Sequence, residues 1–193
     1  MKKIISVLLT LVIVSLSVCS CSPHSKEEIV SASAELIEKS YEVNEIYYGK
    51  GLPYTDDIII GITSEYALVD AEACGYSSVD DLKKAAQAVY STDYCEHLFK
   101  VAFEGLSTEE LETVSFARYI EDFGYQLTIL KEVKETGLTL NRTYDLSTIT
   151  VEKSARNAAT VSVMSLVDGV EDEIIKINLI YESNGWRLNT PTY

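Results

Sequence analysis

Histidine is nearly absent from this chain. His24 and His97 are the only two in 193 residues, so a catalytic triad or a zinc centre built on several imidazoles cannot be assembled. Cysteine is scarce too: Cys19, Cys21, Cys74 and Cys95 are the full set, and no pair has metal-ligand spacing. The chain lacks a glycine-rich phosphate loop, a low-complexity tract, and an internal repeat of the kind that signals a solenoid. Positive charge is also in short supply. Lys and Arg number 16 against 30 Asp and Glu, for a formal charge of −14. Such a chain is repelled by nucleic acid and by anionic lipid heads. A basic partner is compatible with it, and a solvated acidic surface accounts for the charge equally well. No metal, cofactor or catalytic residue is assigned on these grounds.

What is present begins with the leader. Lys2 and Lys3 precede an apolar run over 4–18, broken only by Ser6, Thr10, Ser15 and Ser17. The run is shorter than the roughly 20 apolar residues that span a bilayer. A charged start, a short apolar middle and small residues at the exit describe a secretory signal peptide; the bland alternatives are a buried helix or a permanent span. Cys21 has Val18 three positions before it and Ser20 immediately before it, whereas Cys19 has Leu16 and the over-large Val18 in those places. This stretch resembles the bacterial lipoprotein leader. The resemblance implies cleavage before Cys21 and a diacylglyceryl thioether on that residue, with palmitate-like chains. Two acyl chains hold a protein on a membrane stably where one is marginal. The expected organisation is a signal peptide over 1–20, a tether over 21–25 and a single domain over 26–193, on the extracytoplasmic face of the cell membrane. A mature part of that size can bury a proper core.

Ser25, followed three positions later by Glu28, is a capping-box pattern. Ile29, Ala32, Leu36, Ser40, Val43 and Tyr47 then recur at helical spacing, and Gly49 is placed to end the helix in a left-handed conformation. Residues 50–57 read as a loop, and 58–62 and 66–69 as short strands. Tyr47, Tyr48, Tyr54 and Tyr66 crowd this region, either as a pocket or partner surface or as helix-to-sheet packing. Ser78 and Asp81 open the next helix, with Val79, Leu82, Ala85, Ala86 and Val89 as its stripe. Another helix starts near Thr92, carries Leu98, Val101, Ala102 and Phe103, and ends near Gly105. Residues 107–110 are a further capping signal; 116–121 and 125–133 read as strands about Gly124, and 136–144 as a loop or irregular edge.

The last third alternates at period two: Ser147, Ile149 and Val151; Ala159, Val161 and Val163; Ile175, Ile177, Leu179 and Tyr181. Asn184-Gly185 signals a hairpin, which would pair Tyr181 with Leu188 and Ser183 with Trp186, and would put Trp186 and Leu188 on the face of Leu179 and Tyr181. Asp168-Gly169 poses a conflict. A two-residue turn there would face Val163 with Ile174 and set an apolar row against a mixed one. Pairing Val163 with Ile175, Val161 with Ile177 and Ala159 with Leu179 keeps the apolar rows together. The expectation is that the hydrophobic pattern wins, through a three-residue or longer connection that leaves acidic 171–173 at an exposed tip. The fold class read from all this is α+β, a long N-terminal helix and a helix pair packed on a curved antiparallel sheet ending in a meander.

Little chemistry remains to place. Asp56-Asp57, Asp80-Asp81 and Glu109-Glu110 are structural or solvated, the last two at helix starts where carboxylates suit the dipole. A buried Asp beside a Tyr is chemically possible, though nothing selects the pair. Cys74 and Cys95 are a possible disulfide, permitted in an exported chain and worth roughly 3 kcal/mol; the other reading is two buried small hydrophobes.

The element order, a long first helix, a helix pair and a curved meander ending Gly185-Trp186-Arg187-Leu188, resembles two families: the cone-shaped nuclear-transport-factor-two superfamily and the secreted DL-endopeptidase inhibitors of Gram-positive bacteria, the second also through residues 79–84, Tyr119-Ile120 and Gly185-Trp186-Arg187 in a similar order. No functional residue is carried over from either. Three functions stand open: a non-catalytic envelope lipoprotein binding a small ligand or a basic partner, an inhibitor of a cell-wall DL-endopeptidase, and a small cone-fold enzyme.

Overall fold

The computed structural model describes residues 23–55, 64–105, 116–121 and 126–193. The leader with Cys19 and Cys21, the 58–62 run, Asp56-Asp57, the 107–110 capping signal with Glu109-Glu110, and Gly124 lie outside the described residues.

The fold is α+β, and helix α1 (Lys26–Tyr47) runs through it. Ser25 is its N-cap, with Oγ accepting from Glu28 N–H at 3.1 Å. The reciprocal half of the capping box is not made: the Glu28 carboxylate lies 2.6 Å from His24 Nδ1 instead. The buried stripe, Ile29, Ser33, Leu36, Ile37, Ser40, Val43, Asn44, Ile46 and Tyr47, is broader than the spacing predicts, because strands and a helix both pack on α1. Its buried serines bond back to the helix, Ser33 to Ile29 O at 2.7 Å and Ser40 to Ile37 O at 2.6 Å.

The C-terminus of α1 corrects the sequence reading. Gly49 is not left-handed; Tyr48, at φ −128°, closes the helix, and Gly51, at φ 69°, is the first residue of positive φ. A glycine motif is one way to satisfy the last carbonyls of a helix. Here side chains from far along the chain do it. Arg118 Nε donates to Ile46 O at 2.8 Å, its Nη2 donates to Gly49 O, and Tyr119 OH donates to Ile46 O at 2.9 Å.

Next come β1 (Tyr66–Leu68), α2 (Ala71–Cys74), α3 (Val79–Val89) and α4 (Thr92–Phe99), the last extended by a π-turn over Lys100–Glu104 to Gly105. Ser78 Oγ caps α3 through Asp81 N–H at 3.1 Å, while the Asp81 carboxylate holds Ser77 N–H at 3.1 Å. The Tyr cluster is mainly packing: Tyr47 is buried and donates to Leu82 O at 3.0 Å, and Tyr66 donates to Ala117 O at 2.6 Å. Strands β2 (Tyr119–Glu121) and β3 (Leu127–Leu130) join β1 in a three-stranded antiparallel sheet ordered β1-β3-β2. The strand expected to reach Val133 stops at Leu130. Val133 belongs to α5 (Glu132–Thr136), where the charged, helix-favouring neighbours Glu132, Lys134 and Glu135 outweigh one valine.

The remaining strands, β4 (Arg142–Ser154), β5 (Ala158–Val167), β6 (Val170–Glu182) and β7 (Gly185–Leu188), form a second antiparallel sheet in chain order. The expected pairs Val163↔Ile175, Val161↔Ile177 and Ala159↔Leu179 are all present. The means differ from the expectation. The connection is a two-residue turn at Asp168-Gly169, with Val167 facing Val170, and a bulge between Met164 and Leu166 absorbs the one-residue conflict. At the last hairpin the turn is Ser183-Asn184, not Asn184-Gly185, so Tyr181 pairs with Trp186 and Leu179 with Leu188. That is a shift of two, which leaves every side chain on its expected face. Ser147 is exposed rather than inward, because β4 is irregular between Asp145 and Thr150.

Val161, Val163, Ile177, Leu179 and Leu188 close the core between this sheet, α1 and the helix pair. The β7 edge is covered where Leu188 bridges Tyr90 and accepts from Ser91 N–H at 2.9 Å. The opposite edge, β4, is broken by its two irregularities, a common protection against strand addition.

Candidate functional site

A cleft of about 340 Å³ opens between the C-terminal half of α1, the start of β4 and the chain's last residues. Its size falls in the range of small-ligand pockets. Tyr41, Asn44 and Glu45 face it at i, i+3 and i+4 of α1; Arg142 and Thr143 enter from β4; Thr192 and Tyr193 come from the tail. The tail is guided there by β6 and α4. Asn189 N–H donates to Asn178 O at 2.8 Å, Asn178 N–H donates to Thr190 Oγ1 at 3.0 Å, and Ser91 Oγ donates to Asn189 Oδ1 at 2.5 Å.

The floor is a buried polar chain with one direction. Tyr90 OH donates to Asn44 Oδ1 at 2.6 Å, Asn44 Nδ2 donates to Thr192 Oγ1 at 2.9 Å, Thr192 Oγ1 donates to Ser40 Oγ at 2.7 Å, and Ser40 Oγ donates to Ile37 O at 2.6 Å. Each buried group has a partner, the condition under which such networks rigidify a site. Tyrosine rings build the wall beside it: Tyr193 lies 4.3 Å from Tyr48, and Tyr90 stacks on Tyr94 at 4.6 Å. Burial pushes the Tyr90 and Tyr144 phenols up to about 12, and raises Tyr41. These hydroxyls are therefore neutral at physiological pH, and Tyr41 OH accepts from Tyr144 N–H at 3.2 Å.

Arg142 is the positive group of the cleft, and the bulge positions it. Ser165 of β5 stands opposite both Asp172 and Glu173. Its Oγ donates to Asp172 Oδ2 at 3.2 Å and accepts from Glu173 N–H at 3.3 Å. Arg142 reaches the carboxylates of the same two residues, Asp172 at 3.3 Å and Glu173 at 3.7 Å. The acidic tip expected at 171–173 is therefore partly neutralised from within, since the bulge turns two of its three acids toward Arg142. Asp168 accepts from Asn141 Nδ2 at 2.9 Å.

A second hollow of about 320 Å³, beside Gln87, Thr92, Glu182 and Arg187, is a less promising site. Glu182 Oε1 is taken by Thr92 N–H at 2.7 Å and Thr92 Oγ1 at 3.0 Å, and Arg187 Nε donates to Gln87 O at 2.8 Å.

Of the residues singled out in the sequence, Cys21 lies outside the described residues. The Cys74–Cys95 bridge is not formed: both thiols are free. Cys95 is buried, faces Tyr90 O at 3.6 Å and is pushed up to about 12 by desolvation, while Cys74 faces Tyr76 O at 3.7 Å. They fill the role of small buried or half-buried hydrophobes. A phenol beside a carboxylate does occur, Tyr76 OH to Glu42 Oε1 at 2.7 Å, but it is exposed. His24 is docked: its ring lies 4.2 Å from Tyr181 and 5.0 Å from Trp186. Asn44, Arg142, Thr192 and Tyr193 were not singled out. Asn44 beside Val43 and Tyr47, a polar residue within an apolar stripe, was the available signal.

No protein-family model matches the chain, and no curated protein matches it significantly.

Proposed function

We propose that this protein is a lipid-anchored, extracytoplasmic lipoprotein of the cell envelope whose domain binds a small amphipathic ligand, of sugar or short-peptide size, without transforming it. The observation that carries the reading is the floor of the α1–β4 cleft. Its hydroxyl protons are each committed to a neighbour, and the Tyr90 phenol is held neutral, whereas acid–base catalysis needs a group poised near the working pH. Among the described residues, the carboxylates with displaced titration, Glu27, Glu35 and Asp81, are all lowered by hydrogen bonds and stand at the solvent. Tyr41 and Tyr193 offer ring faces, and Arg142 and Asn44 offer a polar edge.

The test uses the full-length lipidated chain in detergent, a panel of cell-wall sugars and peptides, and ligand-observed NMR. Binding is expected, and Thr143→Trp, which fills the cleft from an exposed strand position, abolishes it. Binding that survives Thr143→Trp would move the site elsewhere. The anchor is tested separately with a fatty-acid probe: Cys21→Ala loses the label, and undiminished label discards Cys21 as the anchor.

One observation favours the inhibitor reading. Val170 and Ile174, 69% and 64% exposed, flank the acidic 171–173 segment on the β5–β6 tip. An apolar pair among carboxylates suits a basic groove on another protein. In that case a retained cell-wall peptidase is lost on Ile174→Asp and kept with Thr143→Trp.

A further inference from the structure

His24, three positions after the expected anchor residue, is seated against the folded domain. The His24 ring packs on Tyr181 and Trp186, its Nδ1 holds Glu28, and α1 starts two residues later at Lys26. Two residues, Ser22 and Pro23, separate Cys21 from His24, which makes three steps along the chain, and a chain advances at most about 3.6 Å per residue. The backbone to which a lipid would be attached is therefore within about 11 Å of the His24 backbone, however the intervening residues are arranged.

His24 also marks one end of the long sheet. The Ser183-Asn184 turn adjoins Trp186 and Tyr181 in the β6–β7 hairpin. The β4–β5 turn is at the same end, with Tyr181 N–H donating to Asn157 O at 2.9 Å. Lys26 and Arg156 are exposed there. Of the acids there, Glu28 is held by His24, Glu182 by Thr92, and Glu27 and Asp93 stay at the solvent. The cleft and the acidic tip are at the other end. Tyr41 follows His24 by 17 residues, which at about 1.5 Å per helical residue is roughly 25 Å. The ten residues of β5 (Ala158–Val167), at about 3.3 Å each, span roughly 33 Å to the Asp168-Gly169 turn.

We infer that the end face formed by His24, Tyr181 and the β4–β5 and β6–β7 turns rests on the lipid headgroups, standing the domain upright with the cleft and the acidic tip turned away from the bilayer. This rests on the anchor reading. The chemistry of the two ends agrees with it. Half-buried Tyr181, with Trp186 buried just beneath it, suits the headgroup level, exposed Lys26 and Arg156 suit an anionic leaflet, and that leaflet repels the tip carrying Asp168 and residues 171–173.

Trp186 is the chain's one tryptophan, so its emission reports on this face without a label. The experiment places the full-length lipidated protein on vesicles of phosphatidylcholine and phosphatidylglycerol with headgroup-spin-labelled lipid. The expected result is loss of Trp186 emission, and no loss when the tryptophan is moved to the cleft by Trp186→Phe with Thr143→Trp. Hydrogen exchange on the unmutated protein gives a second readout. Amides at 154–157 and 183–184 exchange more slowly on vesicles than in detergent, and those at 168–169 do not. Trp186 unquenched in a chain that carries fatty-acid label overturns this inference alone, as does equal quenching at the two positions, which means a domain lying flat. A chain without label at Cys21 overturns the anchor reading and this inference with it.

Discussion

Thr192, next to last in the chain and 1% exposed, is expected to carry stability far beyond a tail residue's usual share. Its Oγ1 accepts from Asn44 Nδ2 at 2.9 Å, donates to Ser40 Oγ at 2.7 Å and lies 3.0 Å from Tyr90 OH. Thr192→Val keeps the shape and removes the hydroxyl. Asn44 Oδ1 still receives Tyr90, but Nδ2 is left buried without its acceptor, at about 1–3 kcal/mol. Ser40 keeps its own bond to Ile37 O, so its share of the loss is small. A cost of about 2 kcal/mol lowers Tm by roughly 4–8 °C in a chain of this size. The urea midpoint should fall with no change in slope, since little surface changes. The triple variant Asn44→Leu/Tyr90→Phe/Thr192→Val removes donors and acceptors together, and should lose less than the sum of its parts by about 1 kcal/mol or more. A Thr192→Val protein within about 0.5 kcal/mol of the parent, the range of an ordinary surface change, or a strictly additive triple, would show that the chain is not a coupled network.

Alkaline pH should unfold the domain in a defined window. Tyr90 and Tyr144 are raised from 10.0 to about 12, and Cys95 from 9.0 to about 12, in each case chiefly by desolvation. A group raised on folding contributes its full stability below its unfolded pKa and loses it as pH rises through the folded one. The urea midpoint should therefore be insensitive to these groups below pH 9 and fall between pH 9 and 12, with tyrosinate absorbance rising in step; a midpoint that holds across that window contradicts the assigned burial. Two glycines of positive φ should separate conformation from space. Gly169→Ala, at φ 78° with open space around it, should cost about 1–2 kcal/mol. Gly51→Ala should cost more, since its Cβ would meet Ile129 Cδ1 at 2.6 Å and Tyr119 Oη at 2.8 Å; equal melting temperatures would mean that those neighbours yield freely.

Local chemistry was legible in the sequence, and remote chemistry was not. Ser25 and Ser78 announce helix starts because the capping bond reaches only three residues ahead. Gly49 misleads at the other end of α1 because the carbonyl it might have helped to satisfy is bonded by Arg118, 72 residues away. The cleft is hidden for the same reason. Asn44 and Thr192 are 148 residues apart, and nothing in the spacing of either pairs them. Ser40 could be placed on the buried face by periodicity, while its role as the acceptor for Thr192 depends on where the tail returns.

The β5–β6 hairpin shows how two correct signals that disagree can both be kept. Asp168 and Gly169 take φ of 52° and 78°, the left-handed pair that a two-residue turn needs to match the strand twist. That turn demands a register one residue away from the one that buries Val161, Val163, Ile175 and Ile177 together. Forfeiting the turn costs a local preference, whereas forfeiting the register turns a whole apolar row to water. A bulge satisfies both, because two residues of one strand then oppose one of the other. It falls where Ser165 can use its hydroxyl on both of them, accepting from Glu173 N–H and donating to Asp172. The two acids are thereby turned toward Arg142 at the rim of the cleft. The local device that settles the sheet's register is thus the one that holds the cleft's positive charge in place. The other hairpin needs no bulge: moving its turn to Ser183-Asn184 shifts the pairing by two, and Asn184 tolerates φ 64° because its short polar side chain is at ease in the left-handed region.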